Sequence, residues 1–186
     1  MVFRLIRAWK CKICDHVYFG AEAPDRCPYC GVHGNNISPS SFDAEDRPIK
    51  NISEQTKKDL YKALRLEYED ANHYKCASEN SKCPARKMIF DTLHDHEIRH
   101  AHIIEHILGL EEDSVDQTKL GCIDIEDPEM EYFEEEVFKV AIPREREAIF
   151  FYNKIARETD DPRIKEVFLA IADAEYHHSL IGKAHD

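Results

Sequence analysis

No apolar run in this chain of 186 residues approaches the length of about 18 residues that a membrane-spanning helix needs. Basic charge is also short: 25 Lys and Arg stand against 37 Asp and Glu, giving a formal charge of -12. That balance excludes a phosphate-binding surface, and with it nucleic acid, and it argues equally against an anionic membrane. The opening MVFRLIRAWKCK is too short and too polar for a signal peptide, so a soluble, cytoplasmic protein is expected. Gly and Pro become rare from Ser53 onward, which leaves little there for loops or turns.

What the chain does have is cysteine, histidine and glutamate in organised places. Seven cysteines make an odd number and do not fall into a disulfide framework. Four of them cluster as Cys11, Cys14, Cys27 and Cys30, a pattern that in a cytosolic protein means metal or redox chemistry. Cys76, Cys83 and Cys122 are expected to be free reduced thiols. Residues 1–37 hold both Cys-x-x-Cys pairs and many turn formers; so short a segment needs a metal to hold it. Residues 38–52, with Pro39 and Pro48, read as a linker. Residues 53–186 interleave charged and apolar residues at helical spacing, so the fold is expected to be mainly α, a four-helix bundle behind a small metal-binding module with its own core.

Four helices are predicted. The first runs from an N-cap at Ser53 to Glu79, and the second from Pro84 to Leu108, stopped by Gly109. The third starts at Asp127-Pro128 and ends near Glu158, with a kink expected at Pro143. The fourth starts at Asp161-Pro162 and ends near Gly182. The two halves repeat at an offset of 78: Ala63, Glu67 and Tyr74 align with Ala141, Glu145 and Tyr152. Pro84, Phe90, Asp95, Glu97 and His100 likewise align with Pro162, Phe168, Asp173, Glu175 and His178. The repeating unit is a helix hairpin.

Two Cys-x-x-Cys loops separated by 12 residues can close a tetrahedron of thiolates around zinc or iron. The segment resembles rubredoxin through Trp9, Tyr18 and Cys27-Pro28-Tyr29-Cys30-Gly31. It departs from that pattern at Asp15, where glycine is usual; aspartate tolerates the left-handed backbone of such a turn. A structural zinc ribbon is the alternative reading.

Each helix has an apolar stripe interrupted by one glutamate: Glu67, Glu97, Glu145 and Glu175. An inward carboxylate must be paired or must bind metal, and no Lys or Arg lies on these stripes. Glu97 and His100, like Glu175 and His178, are three residues apart and therefore share a helix face. One glutamate from each of two helices plus Glu-x-x-His from the other two is the ligand set of di-iron carboxylate bundles. His94, His96, His102, His106 and His177 are expected on the surface or behind the ligands.

Taken together, these motifs resemble the rubrerythrin family over nearly the whole chain, with the rubredoxin-type module placed first. The resemblance implies a ferritin-like bundle holding two Fe, bridged by Glu97 and Glu175, with Glu67 and Glu145 terminal and His100 and His178 each on one iron. A further Fe would sit on Cys11, Cys14, Cys27 and Cys30. Tyr74 and Tyr152 would lie beside the centre as catalytic residues. The implied activity is reduction of hydrogen peroxide with electrons relayed through the cysteine site from an external reductase. The implied assembly is a homodimer or larger homo-oligomer that passes electrons between chains. Typical members carry an extra glutamate where this chain has Ile142. The remaining ligands are also those of bacterioferritin-like proteins, so dioxygen reduction, ferroxidase activity and iron handling are the alternatives.

Overall fold

The computed structural model describes residues 7–39, 49, 52–116, 120 and 133–185. A small antiparallel sheet comes first: β1 (Arg7–Cys11) lies between β2 (Val17–Gly20) and β3 (Ile37–Pro39). Trp9 faces Tyr18 across one pairing and Cys11 faces Ile37 across the other, so the sheet positions the first metal-binding loop. Among the described residues four helices follow: α1 (Glu54–Asn80), α2 (Pro84–Leu108), α3 (Phe133–Glu158) and α4 (Pro162–His185). α1 packs along α2 and α3 along α4, and the two hairpins meet across α1 and α3. This is a ferritin-like four-helix bundle, mainly α as expected. None of the described helices is long and apolar enough to cross a membrane.

The helix ends follow local chemistry. Ser53 Oγ accepts from Thr56 N–H at 3.0 Å and starts α1. Gly109, at φ 70°, takes the left-handed turn that ends α2. Asp161 caps α4 through bonds from Arg163 N–H (2.8 Å) and Ile164 N–H (3.0 Å). α3 continues unbroken through Pro143, and its expected start at Asp127-Pro128 lies outside the described residues. α4 does not stop at Gly182 but runs on to His185. Gly182 is there for packing: a Cβ would sit 2.8 Å from Ile142 Cγ1, so the absent side chain lets α3 and α4 close together.

Two further expectations are corrected. Cys76 is disulfide-bonded rather than a free thiol; Cys83 is free, and Cys122 lies outside the described residues. The modules also do not have separate cores. Cys11, Ile13, Cys27, Cys30 and Val32 belong to one apolar cluster with bundle residues such as Leu60, Leu64, Tyr68, Tyr152 and Phe168. The knuckle side chains are too few to close an interior alone, so they borrow the bundle's.

Glu105, fully buried near the end of α2, ties this end of the bundle together. Its carboxylate accepts from Tyr68 O–H (2.9 Å), Ser114 N–H (2.7 Å), Ser114 O–H (2.6 Å) and Asp113 N–H (3.1 Å). Glu105→Ala leaves four donors without this acceptor and is expected to lower stability by about 3 kcal/mol. A melting temperature within a degree of the parent's would show that water replaces the carboxylate at no cost.

Candidate metal centres

Two knuckles build the first centre. Asp15 N–H donates to the Cys11 carbonyl and Gly31 N–H to the Cys27 carbonyl, each at 3.0 Å. Both closing residues are left-handed, at φ 61° and 67°, so Asp15 does the work of the glycine it replaces. Lys10 Nζ holds the Asp15 carboxylate at 2.9 Å. The sulfurs of Cys11 and Cys30 are 3.9 Å apart and those of Cys14 and Cys27 3.7 Å, and all four cysteines are free of disulfides. Four sulfurs about 2.3 Å from a central ion stand about 3.8 Å apart in a tetrahedron, so the spacing suits a metal. Without a cation the thiols must share protons: bonds from Cys11 and the other thiols push Cys27 down, while Cys14 and Cys30 are pushed up, Cys11 again contributing most.

The bundle brings all six predicted ligands together. Glu67, Glu97, His100 and Glu175 form one group, and Glu97, Glu145, Glu175 and His178 the other; within each, one ligand atom per residue lies within 4.8 Å of the rest. Glu97 and Glu175 belong to both groups, whereas Glu67 and Glu145 belong to one each. His100 Nδ1 has oxygens of Glu175, Glu97 and Glu67 at 3.0, 3.2 and 3.4 Å. His178 Nδ1 has Glu97 at 2.9 Å and Glu175 at 3.0 Å. All six side chains are buried, and Glu67 Oε1 has no hydrogen-bond donor.

The electrostatics suit a cation. Burial and neighbouring carboxylates push Glu67 and Glu145 well up. Burial raises Glu97 and Glu175 too, but the adjacent imidazoles outweigh it and hold both below the usual range. Burial lowers the two histidines, yet the surrounding carboxylates prevail and raise both, His178 to about 9. One N–H cannot serve three carboxylates at once. His100 Nε2 lies 2.9 Å from the Cys30 carbonyl, which can only accept, so Nε2 carries the proton in the neutral ring. The Nδ1 lone pair then faces three carboxylates, an arrangement that repels unless a cation stands between them. Four carboxylates and two neutral imidazoles balance two divalent ions.

Tyr74 touches a ligand directly. It donates a short bond to Glu145, so the first half of the repeat holds the outer glutamate of the second; Tyr152, its counterpart, is buried at the matching position. Burial, first, raises both phenols, which therefore stay protonated. Sequence reasoning missed the pair behind them, Arg144 with Asp70 (Nε to Oδ1, 2.5 Å). Burial lifts Asp70 to about 7. The signal was available: Asp70 lies three residues after Glu67, and Arg144 precedes Glu145. Ile142 packs with Phe138, Phe90 and Tyr74, so its position supplies no ligand. Of the other histidines, His94 bonds the Ala71 carbonyl, His102 and His106 face Glu112, and His96 reaches His178. Burial and then His178 push His96 down to about 3, so it is neutral.

The cysteine module is docked on its own chain's bundle. Besides the His100 bond to Cys30, Arg26 Nη1 donates to the Gly31 carbonyl (2.9 Å) and to Asp173 on α4 (3.0 Å). A Cβ on Gly31 would sit 2.9 Å from His96 Nδ1. Gly31→Ala combines that overlap with a left-handed backbone costing about 1–2 kcal/mol, and is expected to lift the knuckle. Hydrogen exchange of amides 27–34 should speed by at least about tenfold, the equivalent of 1.4 kcal/mol. Exchange at the parent rate would mean that the contact yields without undocking.

Four helices that gather four glutamates and two histidines into two overlapping groups, with a four-sulfur knuckle resting on them, define a di-metal carboxylate bundle with its own one-metal module. The rubrerythrin family model matches residues 58–185, and that of the rubrerythrin rubredoxin-like domain matches residues 9–36. The chain belongs to the rubrerythrin family, and its residues fit one iron in the cysteine site and a di-iron pair in the bundle. No curated protein and no solved structure matches it.

Proposed function

We propose that the protein is a non-haem di-iron peroxidase that reduces hydrogen peroxide to water with electrons relayed through the four-cysteine site. The observation that carries this reading is the 2.9 Å bond from His100 Nε2 to the Cys30 carbonyl, which joins a ligand of one centre to a ligand of the other. Storage or simple iron handling has no use for such a link. Reduction of hydrogen peroxide to two waters takes two electrons and two protons, and a pair of ferrous ions supplies both electrons when bound. The chain's own residues hold that pair and shape its surroundings. Glu97 and Glu175, shared by both ligand groups, would serve both irons, and Glu67, Glu145, His100 and His178 would each hold one. Tyr74 keeps its hydroxyl proton on Glu145 and so fixes that outer carboxylate, and Tyr152 is buried at the matching position of the other half. Apolar packing around Phe90, Phe138 and Ile142 keeps water from one flank.

An external reductase would refill the cysteine site one electron at a time. A homodimer is proposed from the line of exposed Leu169, Tyr176 and Leu180, at i, i+7 and i+11 on α4. A cytoplasmic setting suits the free thiols of the four-cysteine site; the disulfide at Cys76 speaks against it. A second reading, dioxygen reduction or ferroxidase activity, is favoured by Ile142, which leaves the bundle with six ligands. Steady-state turnover of the reduced protein separates the two. Faster consumption of hydrogen peroxide than of dioxygen supports the peroxidase; the reverse order rejects it.

A further inference from the structure

The two halves of the bundle repeat in their ligands but differ in what stands behind them. His100 Nε2 meets a backbone carbonyl, that of Cys30. His178 Nε2 meets a side chain instead, His96 Nδ1 at 3.1 Å. The two rings lie nearly coplanar, their planes 21° apart and their centroids 5.3 Å apart, which is the edge-to-edge geometry of an N–H···N bond. The position that repeats His96 at the offset of 78 is Ala174, so no second imidazole plays this part. Gly31 closes the back of the arrangement: its missing Cβ would lie 2.9 Å from His96 Nδ1, 3.1 Å from His96 Cε1 and 3.5 Å from His178 Nε2. The knuckle therefore lies directly against the paired rings.

We propose that His96 is a positioning residue of the bundle metal centre, accepting the Nε2 proton of His178 and so turning that ring's Nδ1 lone pair toward Glu97 and Glu175. The proposal rests on the di-iron site but not on which oxidant it reduces. Only one proton can sit between His178 Nε2 and His96 Nδ1. When His178 binds a metal through Nδ1, that proton must be on Nε2, so His96 takes the acceptor role and keeps its own proton on Nε2. An outer partner of this kind fixes both the tautomer and the ring orientation of a metal ligand, and its loss typically weakens metal binding by about 10–100-fold. The effect should fall on one metal position of the two, because His100 has the Cys30 carbonyl instead.

The test uses the full chain. His96→Leu removes the acceptor, whereas His96→Asn restores it, because Asn Oδ1 falls close to where His Nδ1 stands. Iron per chain is measured against a competing chelator, with the absorption of the cysteine site as an internal reference. The expected result is selective loss of one bundle iron in His96→Leu, with affinity reduced about 10–100-fold and recovered to within a few-fold in His96→Asn. Equal retention in both variants, or equal loss in both, overturns the proposal. A measurement without substitution guards against a Leu variant that folds poorly. In the parent protein loaded with cobalt(II), proton spectra should contain two strongly shifted, exchangeable imidazole N–H signals, both slow to exchange with water. A His178 N–H that exchanges at the rate of a solvent-exposed imidazole overturns it.

Discussion

Glu97→Ala or Glu175→Ala is expected to empty the bundle of iron, while Glu67→Ala or Glu145→Ala leaves about one of its two irons in place. The grading follows from group membership. Glu97 and Glu175 have oxygens in both four-residue groups, so removing either takes a ligand from each metal position at once. Glu67 and Glu145 each serve one group. The cysteine site holds its metal in all four variants, because it shares no ligand with the bundle. Iron per chain together with the visible absorption of the cysteine site measures this directly. Equal loss from all four variants would remove the distinction between shared and unshared glutamates. The same residues should also show a stability effect that changes sign with metal. In the metal-free protein, burial and the neighbouring carboxylates push Glu145 well up, so at neutral pH folding carries the cost of protonating it. Glu145→Gln relieves part of it and should raise the metal-free melting temperature, by the equivalent of about 1–3 kcal/mol. In the iron-loaded protein the same change removes a ligand and should lower it. Melts with and without a chelator that moved in the same direction would contradict the charge balance.

The two residue groups that the bundle gathers were legible in the sequence because a metal site forces an exception onto a strong pattern. A glutamate in an apolar helix stripe is costly, and four of them repeating at a fixed offset have few explanations. The helix starts at Ser53, Pro84 and Pro162 were legible for a similar reason: caps act within a few residues. What depends on distant partners was not. Gly182 reads as a helix stop, yet its neighbour is Ile142 on another helix, and close packing rather than termination explains it. Glu105 lies eight residues after Glu97 on the same helix and has the form of a further ligand. Its donors come from Tyr68 and from the turn at Asp113 and Ser114, which no local pattern announces. His96 reads equally as a surface histidine or as one standing behind the ligands, and only the knuckle laid over it separates the two. The docking itself had no signature in periodicity or spacing, since the groups that make it include backbone carbonyls at Cys30 and Ile13.

That docking changes what subunit mixing should give. The family resemblance implies that a cysteine site serves the bundle of another subunit. Within a single chain the cysteine module already reaches the bundle: His100 to Cys30 at 2.9 Å, Arg26 to Asp173 at 3.0 Å, and Arg163 to the Ile13 carbonyl at 3.4 Å. From Cys30 Sγ the path runs through its own backbone carbonyl, across one hydrogen bond and through the His100 ring to Nδ1, a short route with no gap in it. Electrons are therefore expected to pass within the chain. Cys11→Ser keeps the bundle ligands but lacks one sulfur of the donor site; Glu175→Ala keeps the donor site but lacks a shared bundle ligand. Each variant alone should lose nearly all peroxide turnover with an electron donor. Co-refolded in equal amounts, they should stay inactive even where mixed dimers form, because no chain contains both intact centres. Delivery between chains would give a different number. Random pairing makes about half of the dimers mixed, each with one served bundle of two, so about a quarter of parental activity would return. Recovery near that level would mean that the same contacts are made by exchanged modules. Circular dichroism of each variant, before mixing, checks that loss of turnover is not loss of the helical bundle. The check matters most for Cys11→Ser, whose sulfur belongs to the apolar cluster that the module shares with α1, α3 and α4.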